Sequence, residues 1–156
     1  MPYGDLVLPL IFGPVALAAL VFTARALLGR LGLAREAADD YSYRSANGMI
    51  GDVDPRTYVA TYKRVNAPRF ATHAAAALWA VLALTPVIAM ALEFLLDLLW
   101  QATGQSRVFE PGYLVWGFFI FFGLMGTWAA IGWIAARHYH KHAPGRFEDE
   151  LREAQA

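Results

Sequence analysis

Apolar residues in this chain fall into three long blocks separated by polar stretches, and that segregation predicts its architecture. The first block, Leu6 to Leu28, holds a single charge, Arg25, near its end. The second, Ala71 to Trp100, has His73 at its start and Glu93 and Asp97 near its end, whereas Tyr113 to Ala136 has no charge at all. A helix crosses a hydrocarbon core of ~30 Å in about 20 residues, so each block is long enough to span. None has the polar face that a soluble helical bundle requires. Helices are the expected form because their backbone hydrogen bonds close within the segment. The predicted fold is an all-α integral membrane protein with three transmembrane helices at about 6–28, 71–100 and 113–136. The second and third, joined by a short loop, form an antiparallel hairpin.

The polar stretches set the orientation. Eight basic residues lie between Arg25 and Arg69 and four lie in the tail from Arg137, against Arg107 alone in the short loop. The positive-inside rule then places the loop 29–70 and the tail 137–156 in the cytoplasm and the N-terminus outside. The leader Met1 to Asp5 has no lysine or arginine, the reverse of a secretory signal's layout, so the first span is expected to be retained.

Within the long loop, Arg35 to Arg44 can continue the first helix, and Asn47-Gly48 and Gly51-Asp52 read as turns. Asp54-Pro55 has the form of a helix start, with proline at the first helical position. From Pro55 to Val65, Tyr58, Tyr62 and Val65 share one face and Lys63 and Arg64 lie toward another. That pattern suits a short amphipathic helix lying on headgroups, or one packed against a partner's cytoplasmic surface. The tail Phe147 to Ala154 is expected to form one or two exposed helical turns. Pro9, Pro14 and Pro86 fall inside spans and favour kinks, which neighbouring helices commonly accommodate.

Composition agrees with a membrane assignment: 58% of residues are apolar and 17% charged, against about 45–50% and 25% in soluble domains. Thirteen basic and thirteen acidic residues cancel, so nothing points to a nucleic-acid partner. The absence of cysteine excludes disulfides, iron–sulfur clusters, thiolate metal sites and c-type haem attachment. Nucleotide-binding, serine-nucleophile and zinc-protease motifs are missing, as is any internal repeat of the kind many transporters carry.

Three sets of residues remain as candidates. Glu93 and Asp97, four apart, share a helix face, and Glu93 lies roughly 10 Å from the middle of its span at ~1.5 Å per residue. A carboxylate at that depth is costly. It can serve as a proton or cation site, pair with a partner helix, or reach outward beside Asp97 into interfacial water, with Arg107 able to fold back toward it. His138, His140 and His142 alternate with Tyr139 and Lys141, and His73 lies at the same membrane face. Interleaved positive charge there disfavours a metal cation, and basic and aromatic anchoring is the plainer use. Bis-histidine haem ligation lacks suitably buried ligands, and no cofactor is expected. Finally, Gly123, Gly126 and Ala130 make one smooth strip and Ala76, Ala80 and Ala83 another, each suited to close helix packing. Trp100, Tyr113 and Trp116 mark the outer interface, and Trp133, Arg137, His138, Tyr139 and Lys141 the inner one.

Three helices leave little room for an enclosed active site. The expected role is a non-catalytic accessory or assembly subunit of a bacterial inner-membrane complex, energy-transducing or transport in setting, whose partners are the lipid bilayer and other subunits or further copies of itself. The Ala-, Arg- and Gly-rich composition suits a GC-rich bacterial genome. The rival is a small proton- or cation-coupled transporter or channel using Glu93 and Asp97.

Overall fold

The computed structural model describes the backbone of residues 4–155 and the side chains of residues 12–155; the leader residues 1–3 and the side chain of Pro9 lie outside that range. The helices are α1 (Gly4–Ala46), α2 (Pro55–Val65), α3 (Arg69–Ala102), α4 (Leu114–Lys141) and α5 (Phe147–Glu153), with a 3-10 turn at Arg107–Phe109. Strands are absent among the described residues. Three of the helices, α1, α3 and α4, are long and apolar enough to cross a membrane. The protein is an all-α, three-span membrane protein.

α1 continues through Arg35 to Arg44, as that stretch allows, and also takes in residues 29–34 without a break. It runs unbroken for 43 residues, about 64 Å at ~1.5 Å per residue, well beyond what a bilayer core requires. It stops where the sequence supplies a left-handed residue: Gly48 has φ 69°, its N–H bonds the Ser45 carbonyl at 3.1 Å and Met49 N–H bonds the Arg44 carbonyl at 2.9 Å. This is the Schellman arrangement, which satisfies two of the orphan carbonyls at the helix end. α3 ends in the same way at Gly104, with Gln105 N–H reaching the Trp100 carbonyl at 2.9 Å. α2 starts where Asp54 accepts a bond from Thr57 N–H at 3.1 Å and Pro55 occupies the first turn.

The chain divides into two compact units, Met1–Ala19 with Ala76–Arg137, and Leu20–Ala75 with His138–Ala156. In the first unit α3 and α4 run antiparallel, with Thr85 opposite Trp128 and Leu92 opposite Gly123. α3 passes through Pro86 as one helix. Little of this surface is internal, since the most apolar window of α4 has none of its residues buried and that of α3 only 11%.

The second unit has a small core of its own: Ile50, Val53, Tyr58 and Leu151, with Tyr41, Tyr62 and Phe147 packed against it. Tyr58 is fully buried. Its ring meets Phe147 edge-on at 5.1 Å and Tyr41 at 5.3 Å, and its hydroxyl donates to Asp40. Tyr41 donates to the Val53 carbonyl at 3.1 Å. α5 docks on α2, where Arg64 and Glu150 form an ion pair and Glu150 also accepts from Gly145 N–H at 2.8 Å.

Two expectations are therefore revised. The tail's helical turns are exposed on one side only: Glu148, Asp149, Arg152 and Glu153 face out, whereas Phe147 and Leu151, four apart, pack into the cluster with Tyr58 and Tyr62. For the same reason the aromatic face of α2 is covered by the chain's own tail and is not laid on headgroups.

Candidate functional site

Glu93 and Asp97 line an open groove of about 540 Å³ together with Met90, Phe94, Pro111 and Trp116. The helical repeat puts Met90, Glu93, Asp97 and Gln101 along one side of α3, while the loop before α4 supplies Pro111 and the first turn of α4 supplies Trp116. Asp97, half-buried, accepts a bond from Gln101 Nε2 at 2.7 Å. Glu93 is exposed on the helix surface, and among the described residues no hydrogen bond or ion pair involves it. Arg107 does not fold back: it starts the 3-10 turn and pairs with neither carboxylate. The groove thus presents one satisfied and one unsatisfied carboxylate beside apolar walls, able to accept hydrogen bonds or a cationic partner.

Below it in the hairpin lies a polar contact that the sequence reading missed. Trp128 Nε1 donates to Thr85 Oγ1 at 2.9 Å, and Thr85 is 4% exposed. Trp128 stands out in sequence only as one aromatic among many, and Thr85 only as a hydroxyl beside Pro86. Pairing them requires the register of the hairpin.

The smooth strips are divided. A Cβ on Gly123 would sit 2.5 Å from Leu92 Cδ1, so this glycine lies against α3. Gly126 has nothing within 4 Å of its Cβ position among the described residues, and Ala130 is exposed. On α3, Ala76 and Ala83 are exposed and Ala80 is half-buried.

The interface residues cluster only in part. Arg137 places its guanidinium over the Trp133 ring at 5.2 Å, while Tyr113 and Lys141 are exposed and Trp116 is half-buried. The Trp100 indole N–H is enclosed without a protein acceptor among the described residues. In the second unit the histidines do converge: the rings of His73 and His138 lie 5.5 Å apart and those of His138 and His142 lie 4.1 Å apart. Nδ1 of His73 faces the Arg69 carbonyl at 2.8 Å, and Nδ1 of His142 faces the His138 carbonyl at 3.1 Å. Among the described residues no group of three or more histidines and carboxylates is placed to hold a metal ion.

The chain matches no protein-family model, no curated protein and no solved structure.

Proposed function

We propose that this chain is a non-catalytic accessory or assembly subunit of a complex in the bacterial cytoplasmic membrane, with its N-terminus outside and its C-terminus inside. The observation that carries the reading is Glu93, a carboxylate exposed on an apolar spanning helix with no partner among the described residues of its own chain. Charged groups within a bilayer face protein or water and pair with one another, because hydrocarbon cannot solvate them. A basic or hydrogen-bond-donating group on a neighbouring subunit meets that need, and the exposed faces of α3 and α4, with Gly126 and Ala130 among them, offer the contact surface. The asymmetric placement of lysine and arginine supports the orientation, and the Ala-, Arg- and Gly-rich composition supports the bacterial setting.

A second reading rests on the groove itself, since two carboxylates opening toward the outer interface suit a proton- or cation-coupled transporter. One substitution separates the two. Glu93→Gln keeps the shape and removes the charge. In the subunit reading it weakens recovery of a stoichiometric partner from mild detergent and leaves the turnover of the assembled complex intact. Loss of ion flux in a normally assembled Glu93→Gln protein overturns the subunit reading and selects the transporter.

A further inference from the structure

Within the second unit, a cavity of about 700 Å³ opens where the apolar block of α1 ends and that of α3 begins, and its walls include Phe22, Arg25, Pro68, Arg69, Phe70 and Tyr139. The approach of α1 to the start of α3 is close here, since a Cβ on Gly29 would lie 3.1 Å from the Pro68 ring. One wall is aromatic, with Phe22 and Phe70 edge-to-face at 5.8 Å. The other is cationic. Arg69 is held in place by a bond from Nη2 to the Tyr139 carbonyl at 2.6 Å and by stacking over the Tyr139 ring at 5.0 Å. That bond uses one of five guanidinium N–H donors and leaves the rest available.

Arg25 is exposed, no residue lining the cavity is acidic, and among the described residues neither arginine has a carboxylate partner. The first turn of α3 adds no acidic side chain to offset them. Two uncompensated guanidinium groups, one of them fixed, make a site for an anion with several acceptor oxygens. Its depth selects the anion's source. Arg25 lies in the last turn of one apolar block and Phe70-Ala71 opens the next, which is the level of the headgroup phosphates, with Phe22 and Phe70 on the hydrocarbon side.

We propose that this cavity binds the phosphate of an anionic phospholipid, with Arg25 and Arg69 on the headgroup and Phe22 and Phe70 against the start of an acyl chain. The test uses the full chain in mild detergent, titrated with phosphatidylglycerol or phosphatidylcholine and followed by native mass spectrometry and thermal unfolding. Phosphatidylglycerol is expected to bind saturably and raise the unfolding temperature. Arg25→Gln is expected to weaken it roughly tenfold, the scale of one lost charge-assisted contact. Arg69→Gln also removes the bond to Tyr139, so Arg25→Gln, which loses no hydrogen bond or ion pair among the described residues, is the decisive variant. Arg56→Gln, on α2 outside the cavity, is expected to bind as the parent does. Equal retention of both lipids, equal weakening by Arg56→Gln, or binding unchanged in Arg25→Gln each overturns the proposal. Displacement of the lipid by millimolar inorganic phosphate overturns the lipid assignment in favour of a soluble anion.

Discussion

Trp128 donates its indole N–H to the hydroxyl of Thr85 at 2.9 Å, and that hydroxyl donates in turn to the Val81 carbonyl at 2.6 Å. The relay joins α4 to α3 within their apolar stretches, where water is not available as a substitute partner. Thr85→Val keeps the side-chain shape and leaves the indole without an acceptor. Interhelical hydrogen bonds in membranes average about 0.6 kcal/mol and reach about 1.7 kcal/mol. A double-mutant cycle of Thr85→Val and Trp128→Phe, read by unfolding in detergent, should return a coupling in that range. Thr85→Ser should retain most of the stability.

Gly123 and Gly126 should separate folding from assembly. Leucine at Gly123 collides with Leu92 inside the hairpin, and overpacking of this kind costs about 1–3 kcal/mol. Gly123→Leu should therefore lower the unfolding temperature of the isolated chain. A Cβ added at Gly126 meets nothing within 4 Å in its own chain among the described residues. The effect of Gly126→Leu should be confined to the size of the assembled complex on a column. Normal assembly by Gly126→Leu would show that this strip faces lipid.

Tyr58 gives the second unit an alkaline limit. Burial pushes its hydroxyl above the ordinary value, and the bond it donates to Asp40 acts in the same direction. Folding thus favours the neutral phenol, and the folded state keeps its proton where the unfolded chain has lost it. The resulting stability is full below the unfolded value of about 10 and is lost as pH rises through the folded value. Circular dichroism and tyrosinate absorbance should show the α2–α5 packing weakening above about pH 10. Tyr58→Phe should remove that contribution, and at neutral pH should cost about 1–3 kcal/mol by removing a hydrogen bond to a carboxylate, with Asp40 keeping its ion pair to Arg44 at 3.2 Å.

Orientation is open to direct labelling, because the chain contains no cysteine. Ser45→Cys lies at the end of α1 and Glu110→Cys in the loop before α4, both at exposed positions. In intact cells an impermeant thiol reagent should reach the second and not the first. The opposite pattern would invert the topology.

The spans were legible because a bilayer demands long uninterrupted apolar runs, and no other reading of Tyr113 to Ala136 fits its lack of charge. Asp54-Pro55 likewise announced α2 through its own chemistry, a side-chain cap followed by a residue that needs no N–H donor partner. The docking of α5 was hidden. Phe147 and Leu151 are two apolar residues among charges, and their spacing says which face is apolar without saying what covers it. The contacts of Thr85 with Trp128, and of His73 with His138, depend on helix register, which a single sequence carries only in side-chain shapes distributed over the whole contact. The groove was legible as far as Glu93 and Asp97 sharing a face. Its walls at Pro111 and Trp116, and the failure of Arg107 to reach it, required the path of the loop.

Tyr58 and Leu151 belong to one cluster although roughly ninety residues, including all of α3 and α4, separate them. At ~5–20 residues per second, a growing chain spends several seconds with α2 already made and packed on Tyr41, Ile50 and Val53, but with the side taken by Phe147 and Leu151 still open. Throughout that interval two spans must be handed to the membrane while the side of Tyr58 and Tyr62 that meets Phe147 stays open. That side is covered only when α5 arrives. The cluster around Tyr58 is therefore completed only once translation has passed Leu151.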